Sequence, residues 1–394
     1  MRLTLAIAFW LPVAACAQPV QQGEPNADFE PAFPEQTRAE ALPETAVSVE
    51  DFVTGLDAPW GIAFLPDGTT LVTERPGRLR HVAEDGTLSD PIAGVPEVDA
   101  RRQGGLLDVA VRDDFADTRR VWLTYAKAVD GGTVTAAATG LLSEDATELT
   151  EVTDIFVQDP PSQNPMHYGS RIVFEPGTDN AFITTGEHSA ESDRVLAQDL
   201  DTTYGKVIRV DAVTGEAPDD NPFADGSGVD TIWSYGHRNM QGAAIDPDGT
   251  LWTIEHGPAG GDELNMPEPG LNYGWPEISY GINYRGTPVG TGDAVMEGME
   301  QPVYYWDPVI APGGMMFYEG DMFSDWQGDL LIGGLVAGAV VRLSLEDGLV
   351  TGEERIAEGI GRVRDVEVAP DGSVLVLIDA PAPNGGIKRI VPAE

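Results

Sequence analysis

The chain has 394 residues, 42% of them hydrophobic, with 46 glycines and 30 prolines, so it has apolar content for a real core and turn formers that favour short strands over long helices. Its formal charge is −42 with only three lysines, Lys127, Lys206 and Lys388, which excludes nucleic acid and anionic membrane surfaces as partners and suits solubility in saline surroundings. The single cysteine, Cys16, rules out an internal disulfide, leaving core burial and metal to supply stability.

Residues 1–18 carry one positive charge, an apolar stretch too short to span a bilayer and a small-residue exit, the pattern of a signal peptide. Cys16 follows Val13-Ala14-Ala15, a lipoprotein-type cleavage site; ordinary cleavage after Ala17 is the rival reading. Either route predicts a periplasmic or secreted protein, and the first adds a lipid anchor in the outer membrane. Residues 19–46, dominated by Gln, Glu, Pro and Ala, read as an acidic disordered tether.

From residue 47 the texture changes to apolar strand, tight turn, apolar strand. The unit runs over 61–74, returns over 243–255 and 366–379, and has looser copies over 107–125, 171–185 and 314–343. Pro-Asp-Gly at 66–68, 247–249 and 370–372 presets one turn dihedral and supplies a left-handed position, closing each hairpin. Six such units predict an all-β fold over 47–394, a six-bladed β-propeller with four-stranded antiparallel blades, against the alternative of unrelated hairpins. Residues 47–53 are the expected closing strand of the blade carrying Val366, Val374 and Ile387, since an open seam would expose a sheet edge.

A propeller delivers the loops before its inner strands to one mouth. His167 precedes one such strand and is a candidate general base. Arg238, beside Asn239, and the pair Arg362 and Arg364 precede two others; together they suit an anionic, planar, carboxylated group held by forked hydrogen bonds. The competing reading pairs each arginine with a nearby acid such as Asp365. The turn at Gly257-Pro258 and the following Asp262-Glu263 offer oxygens suited to calcium. No histidine spacing or cysteine supports zinc.

The segments 59–68, 103–108 (Gln-Gly-Gly-Leu-Leu-Asp), 236–242 (Gly-His-Arg-Asn-Met-Gln-Gly), 255–258, 262–265, 272–276 and 362–365 resemble the soluble quinoprotein glucose/sorbosone dehydrogenases, especially periplasmic aldose sugar dehydrogenases. The resemblance covers residue 47 onward. It implies a propeller binding pyrroloquinoline quinone (PQQ) and Ca²⁺ and oxidising aldoses at C1 to lactones, with electrons passed to a periplasmic quinone or cytochrome. Carried over by motif, His167 is the base and Arg238 stabilises the developing oxyanion. Asn239, Arg362 and Arg364 contact the cofactor, and Gln103 faces the sugar. Gly257 and Pro258 supply carbonyls to the cofactor's calcium, and Glu263 with the Tyr273 carbonyl resembles a second calcium site. Where several members place a lysine against the quinone, this chain has Val336. Tyr280, Tyr284, Tyr305 and Trp306 suit stacking on sugar rings, with Trp306 the expected substrate contact. Two rival functions stay open at this point: a hydrolase or lactonase using a channel calcium, and a non-catalytic carbohydrate-binding propeller.

Overall fold

The structure, a computed structural model, describes residues 19–393; the expected signal peptide and Cys16 lie outside the described residues. The described chain forms six antiparallel sheets arranged as a six-bladed β-propeller. Inner strands run over Pro59–Phe64, Leu106–Val111, Gly169–Phe174, Met240–Ile245, Pro312–Phe317 and Val363–Val368, here blades 1 to 6. They neighbour one another in cyclic order, blade 6 meeting blade 1.

Inter-blade packing explains the strand sequences. The second strand of blade 6, Val374–Ile378, is Val-Leu-Val-Leu-Ile and wholly buried, because both of its faces meet neighbouring sheets. One apolar cluster joins Val53, Leu56, Leu375, Leu377 and Ile387 of blade 6 to Ile62 and Val72 of blade 1. At about 25 cal/mol per Å² of apolar surface removed from water, these seams hold the ring together.

The N-terminal strand Val47–Leu56 pairs antiparallel with Gly385–Pro392 and completes blade 6. Blade 1 has three strands and blade 5 gains a fifth, so the four-stranded expectation holds for the other blades. Every inner strand carries a register shift against its partner near the mouth. Such bulges bend a strand and re-aim its side chains, here towards the axis.

Residues 19–46 do not behave as the disordered tether expected from composition. Glu40–Ala41 pairs parallel with Gly352 and Glu353 as the fifth strand of blade 5. Gln36 is fully buried and donates to the Pro302 carbonyl at 2.9 Å. Asn26 and Ala27 donate four hydrogen bonds to the Asp307 carboxylate at 2.6–3.1 Å. The segment is a strap, ordered by polar contacts with the residues on either side of the outer strand of blade 4, Tyr304–Trp306.

The channel is plugged midway. Arg171 Nη1 bridges Asp108 Oδ1 at 2.8 Å and Asp365 Oδ2 at 3.0 Å, and its guanidinium lies 4.4 Å from the Trp60 ring centre. Blade 5 leaves room for this knot with Gly314, where a Cβ would fall 1.7 Å from Asp365 Oδ1. Asp365 is thereby committed to Arg171. No helix among the described residues is long and apolar enough to cross a membrane.

Candidate active site at the propeller mouth

Two rows of residues meet above the plug, one just before the inner strands and one just after the second strands. The first row holds Gln103, His167, Arg238, Asn239 and Arg362; the second holds Arg75, Glu187, His256, Leu335 and Asp379. Sequence reasoning named the first row alone. The second had a readable signal, since each of its residues lies within two positions of a strand end at the same face.

His167 has a left-handed backbone (φ 46°), and its amide donates to Gln103 Oε1 at 2.8 Å. Its Nδ1 lies 3.2 Å from Glu187 Oε1, in ion-pair range but not aligned as a hydrogen bond. Burial pushes the imidazole below its usual pKa, opposed by Glu187 and assisted by Arg238. Glu187 is held below the usual carboxylate range: burial pushes it up, but His167 and Arg238 outweigh that. The ring is therefore neutral near pH 7, with Nδ1 facing an anion.

Arg238 Nη1 donates to the His256 carbonyl at 2.7 Å, and its guanidinium sits 5.1 Å from the Trp275 ring centre. Its amide and that of Asn239 are capped by Glu255. The neighbouring His237 belongs to the core: it bonds Ser234 and Glu255 and stacks on Tyr273. Asn239 Oδ1 accepts from the Gly169 amide at 3.1 Å. Arg364 donates to Gln241 Oε1 at 2.9 Å and Asp379 Oδ2 at 3.2 Å. Arg362, half exposed, lies 3.9 Å from the same Asp379. Arg238, Arg362 and Arg364 each have an acid within reach, Arg238 through its Nε at 4.0 Å from Glu187 Oε1, yet the buried Nε atoms of Arg238 and Arg364 make no hydrogen bond among the described residues.

Two cavities open at the mouth. Gln103, Asn239, Arg362 and Arg364 line one of about 280 Å³ with His256 and Asp379, and Arg238 and Pro258 line a second of about 370 Å³ with Glu187 and Trp275; His167 lines neither, although its neighbours Tyr168 and Glu187 line one each. His256 is the common neighbour: burial, opposed by a 2.7 Å hydrogen bond to the Pro312 carbonyl, takes its pKa down to about 3, and Arg364, Arg238 and His167 press it the same way.

The oxygen-rich turn has two parts. The Gly257 and Pro258 carbonyls accept no hydrogen bond among the described residues, while Asp262 receives the Gly257 amide at 2.8 Å and the Ala311 amide at 2.7 Å. Asp262 and Glu263 lie in strand Asp262–Asn265 rather than in a loop. The Glu263 carboxyl makes no ion pair among the described residues, and burial, then Glu255, raise it well above the usual range against the opposing pull of Asn265. Beside it Asn265 Oδ1 is buried without a donor, and the Tyr273 carbonyl is free of hydrogen bonds among the described residues. Among those residues no group of three or more His, Cys, Asp or Glu is arranged to hold a metal. A cation here relies on carbonyl oxygens, the donor set of a hard ion such as Ca²⁺.

Trp306 is not a sugar contact. It is fully buried in the core of blades 4 and 5, its indole donating to Glu353 at 3.2 Å. Tyr280 and Tyr305 stack on each other at 4.0 Å in another buried cluster. Of the four aromatics expected around a sugar, Tyr284 alone is exposed, at 78%, on the rim of the larger cavity. Val336 is also exposed.

The fold and its mouth define a propeller of the sugar-dehydrogenase class. The Glucose / Sorbosone dehydrogenase family matches residues 56–389, and the chain belongs to that family of oxidoreductases. Aldose sugar dehydrogenase YliI of Escherichia coli (strain K12) is 46% identical over 346 residues, covering 86% of this chain and 91% of that protein. The crystal structure of the soluble aldose sugar dehydrogenase from Escherichia coli in the apo-form superposes with a TM-score of 0.83 at 43% identity, covering 88% of this chain and all of that one. The PQQ-bound aldose sugar dehydrogenase from Streptomyces coelicolor gives 0.73 at 29% identity, covering 89% and 99%.

Proposed function

We propose that this chain oxidises aldose sugars at C1 to lactones with PQQ and Ca²⁺ seated at the mouth, and passes electrons to a periplasmic quinone or cytochrome. The observation that carries the reading is a pair of buried donors without hydrogen-bond acceptors, Arg238 Nε and Arg364 Nε, one on each of the two mouth cavities, with a neutral histidine whose neighbours line both. An unmet buried donor is costly, and a carboxylated quinone supplies the missing oxygens. The same guanidinium surplus disfavours a carboxylate-bound channel calcium of the hydrolytic kind.

PQQ, when bound, supplies the two-electron acceptor for the hydride leaving C1. The residues of the chain do the rest. His167, with Nδ1 towards Glu187, presents Nε2 as the acceptor of the C1 hydroxyl proton, and Glu187 stabilises the imidazolium that results. Arg238 aims its free Nε–H at the oxygen where negative charge gathers. Arg362, Arg364 and Asn239 hold and orient the cofactor, and Gln103, tied to the His167 amide, faces the sugar. The Gly257 and Pro258 carbonyls fit the cofactor's Ca²⁺; Glu263 and the Tyr273 carbonyl fit a second.

The test is reconstitution of purified apoprotein with PQQ and Ca²⁺ while following sugar-dependent dye reduction over hexoses, pentoses, disaccharides and sorbosone. Turnover is expected, and is lost in His167→Gln with PQQ binding retained; no turnover on any sugar would overturn the reading. Export through residues 1–18, with or without a lipid on Cys16, is read from the mass of the mature N-terminus.

A further inference from the structure

Arg75 has no role in the reading above, yet it stands in the same cavity as Arg362 and Arg364. It follows the second strand of blade 1, Thr70–Glu74. Its backbone is pinned on both sides, the amide donating to the Ala58 carbonyl and the carbonyl accepting from the Leu106 amide, each at 3.1 Å. The side chain therefore projects from a fixed point.

Its charge is unspent. The adjacent Glu74 is fully engaged by the Asp57 amide, Arg78 and Arg80, and Arg75 forms no ion pair among the described residues. Its Nη1 donates to the Arg102 carbonyl at 3.1 Å. Its Nε is buried without a partner. The Nε–Nη2 edge, which matches the two oxygens of a carboxylate, is thus left open. Within the cavity three guanidiniums, Arg75, Arg362 and Arg364, face one carboxylate, Asp379, and Asp379 is already shared by the latter two. Arg75 and Arg364 also repel each other, which contributes to the lowered pKa of Arg364 after burial. Such a cluster is complete when an anion bearing more than one carboxylate enters it.

We propose that Arg75 is a further cofactor-binding residue, gripping a carboxylate of PQQ through its Nε–Nη2 edge and supplying positive charge that Val336 does not. The inference rests on PQQ being the group seated at the mouth.

The experiment titrates apoprotein with PQQ in the presence of Ca²⁺, following tryptophan quenching and calorimetry, for the native protein, Arg75→Ala and Arg75→Lys. The trimethyl ester of PQQ, which lacks the anionic oxygens, is titrated in parallel. Arg75→Ala is expected to weaken PQQ binding about 10- to 100-fold, the range of a charge-assisted hydrogen bond. Arg75→Lys should recover part of that, a point charge replacing a fork. The ester should bind native and variant proteins alike, which a folding defect would not allow. Equal PQQ affinity in native protein and Arg75→Ala would overturn the role of Arg75 alone, and so would an equal loss of ester binding. Failure of the native protein to bind PQQ would overturn the cofactor reading together with it.

Discussion

His167 Nδ1 stands 3.2 Å from Glu187 Oε1, and neither side chain is more than 7% exposed. The carboxylate both fixes which ring nitrogen faces the mouth and raises a proton affinity that burial and Arg238 depress. In Glu187→Gln the upward pull is gone, so the acid limb of kcat/KM should move to lower pH. Turnover should fall about 10²- to 10⁴-fold as the imidazolium loses its stabiliser. A pH–rate profile of the reconstituted variant checks both; an unmoved limb would mean that another group titrates.

Arg238 is positioned by Trp275 below its guanidinium and by its bond to the His256 carbonyl, with Nε left over. Lysine keeps the charge but not that N–H. Arg238→Lys should lower kcat about 10²- to 10³-fold, the effect of removing one oxyanion donor, with KM little changed. Single-turnover sugar oxidation is the direct measurement.

Below the mouth, Arg171 neutralises two buried carboxylates. Arg171→Met would leave Asp108 and Asp365 buried together, and stability should fall by about 3–5 kcal/mol, the usual result of breaking a buried ion pair from one side. Urea unfolding of the apoprotein measures it. Asp108 is already pushed up to about 7 by burial, opposed by Arg171 and reinforced by Asp365, so in the variant the remaining pair should take up a proton at neutral pH.

The repeat was legible because Pro-Asp-Gly turns and buried second strands are local patterns, and the closing strand followed from the need to cover an edge. Half the mouth was legible for the same reason: His167, Arg238 and Arg362 stand before inner strands, and Arg364 is the second residue of one. Glu187, Asp379 and Arg75 sit just after the second strands, a regularity that shows only once the strand ends at the mouth are known. Trp306 shows the opposite failure, an aromatic beside a functional loop whose ring points into the seam between blades. Residues 19–46 misled for a different reason. Their order comes from Gln, Asn and Arg side chains bonding loops about 260–330 positions away, which leaves no periodicity to read.

His188 predicts a pH dependence of stability. Gln158 Oε1 accepts its Nε2–H at 2.7 Å, its Nδ1 has no partner among the described residues, and burial takes its pKa to about 4. A folded-state value below the unfolded one, roughly 6.5, means that the unfolded chain binds the extra proton. The contribution is full above pH 6.5 and lost as pH falls towards 4, at about 1.4 kcal/mol per pH unit. Denaturation of the apoprotein across pH 7 to 4 should be less steep in pH for His188→Gln by that amount.

The strap gives the last prediction. Asn26 and Ala27 grip Asp307, Gln36 meets Tyr280 Oη at 3.0 Å, Thr37 reaches the Tyr305 carbonyl at 2.9 Å, and Arg38 the Asp307 carbonyl at 2.8 Å. These partners include and follow the outer strand 304–306 and reach back, at Tyr280, into the loop between strands 262–265 and 304–306, which also contains Trp275, Asn283 and Tyr284 of the larger cavity. The strap adds an edge strand to blade 5 and supplies no inner strand, so the ring does not need it to close. Its physical effect is on that loop, whose ordering entropy it offsets. A chain beginning at Leu42, or the milder Asp307→Asn, should retain the propeller and the affinity for PQQ proposed above, whose contacts stand on blades 1, 4 and 6. It should show faster hydrogen exchange over 277–303 and a higher KM for sugar with little change in kcat. Exchange as slow as in the full chain would mean that the loop holds itself and the strap merely rests on it.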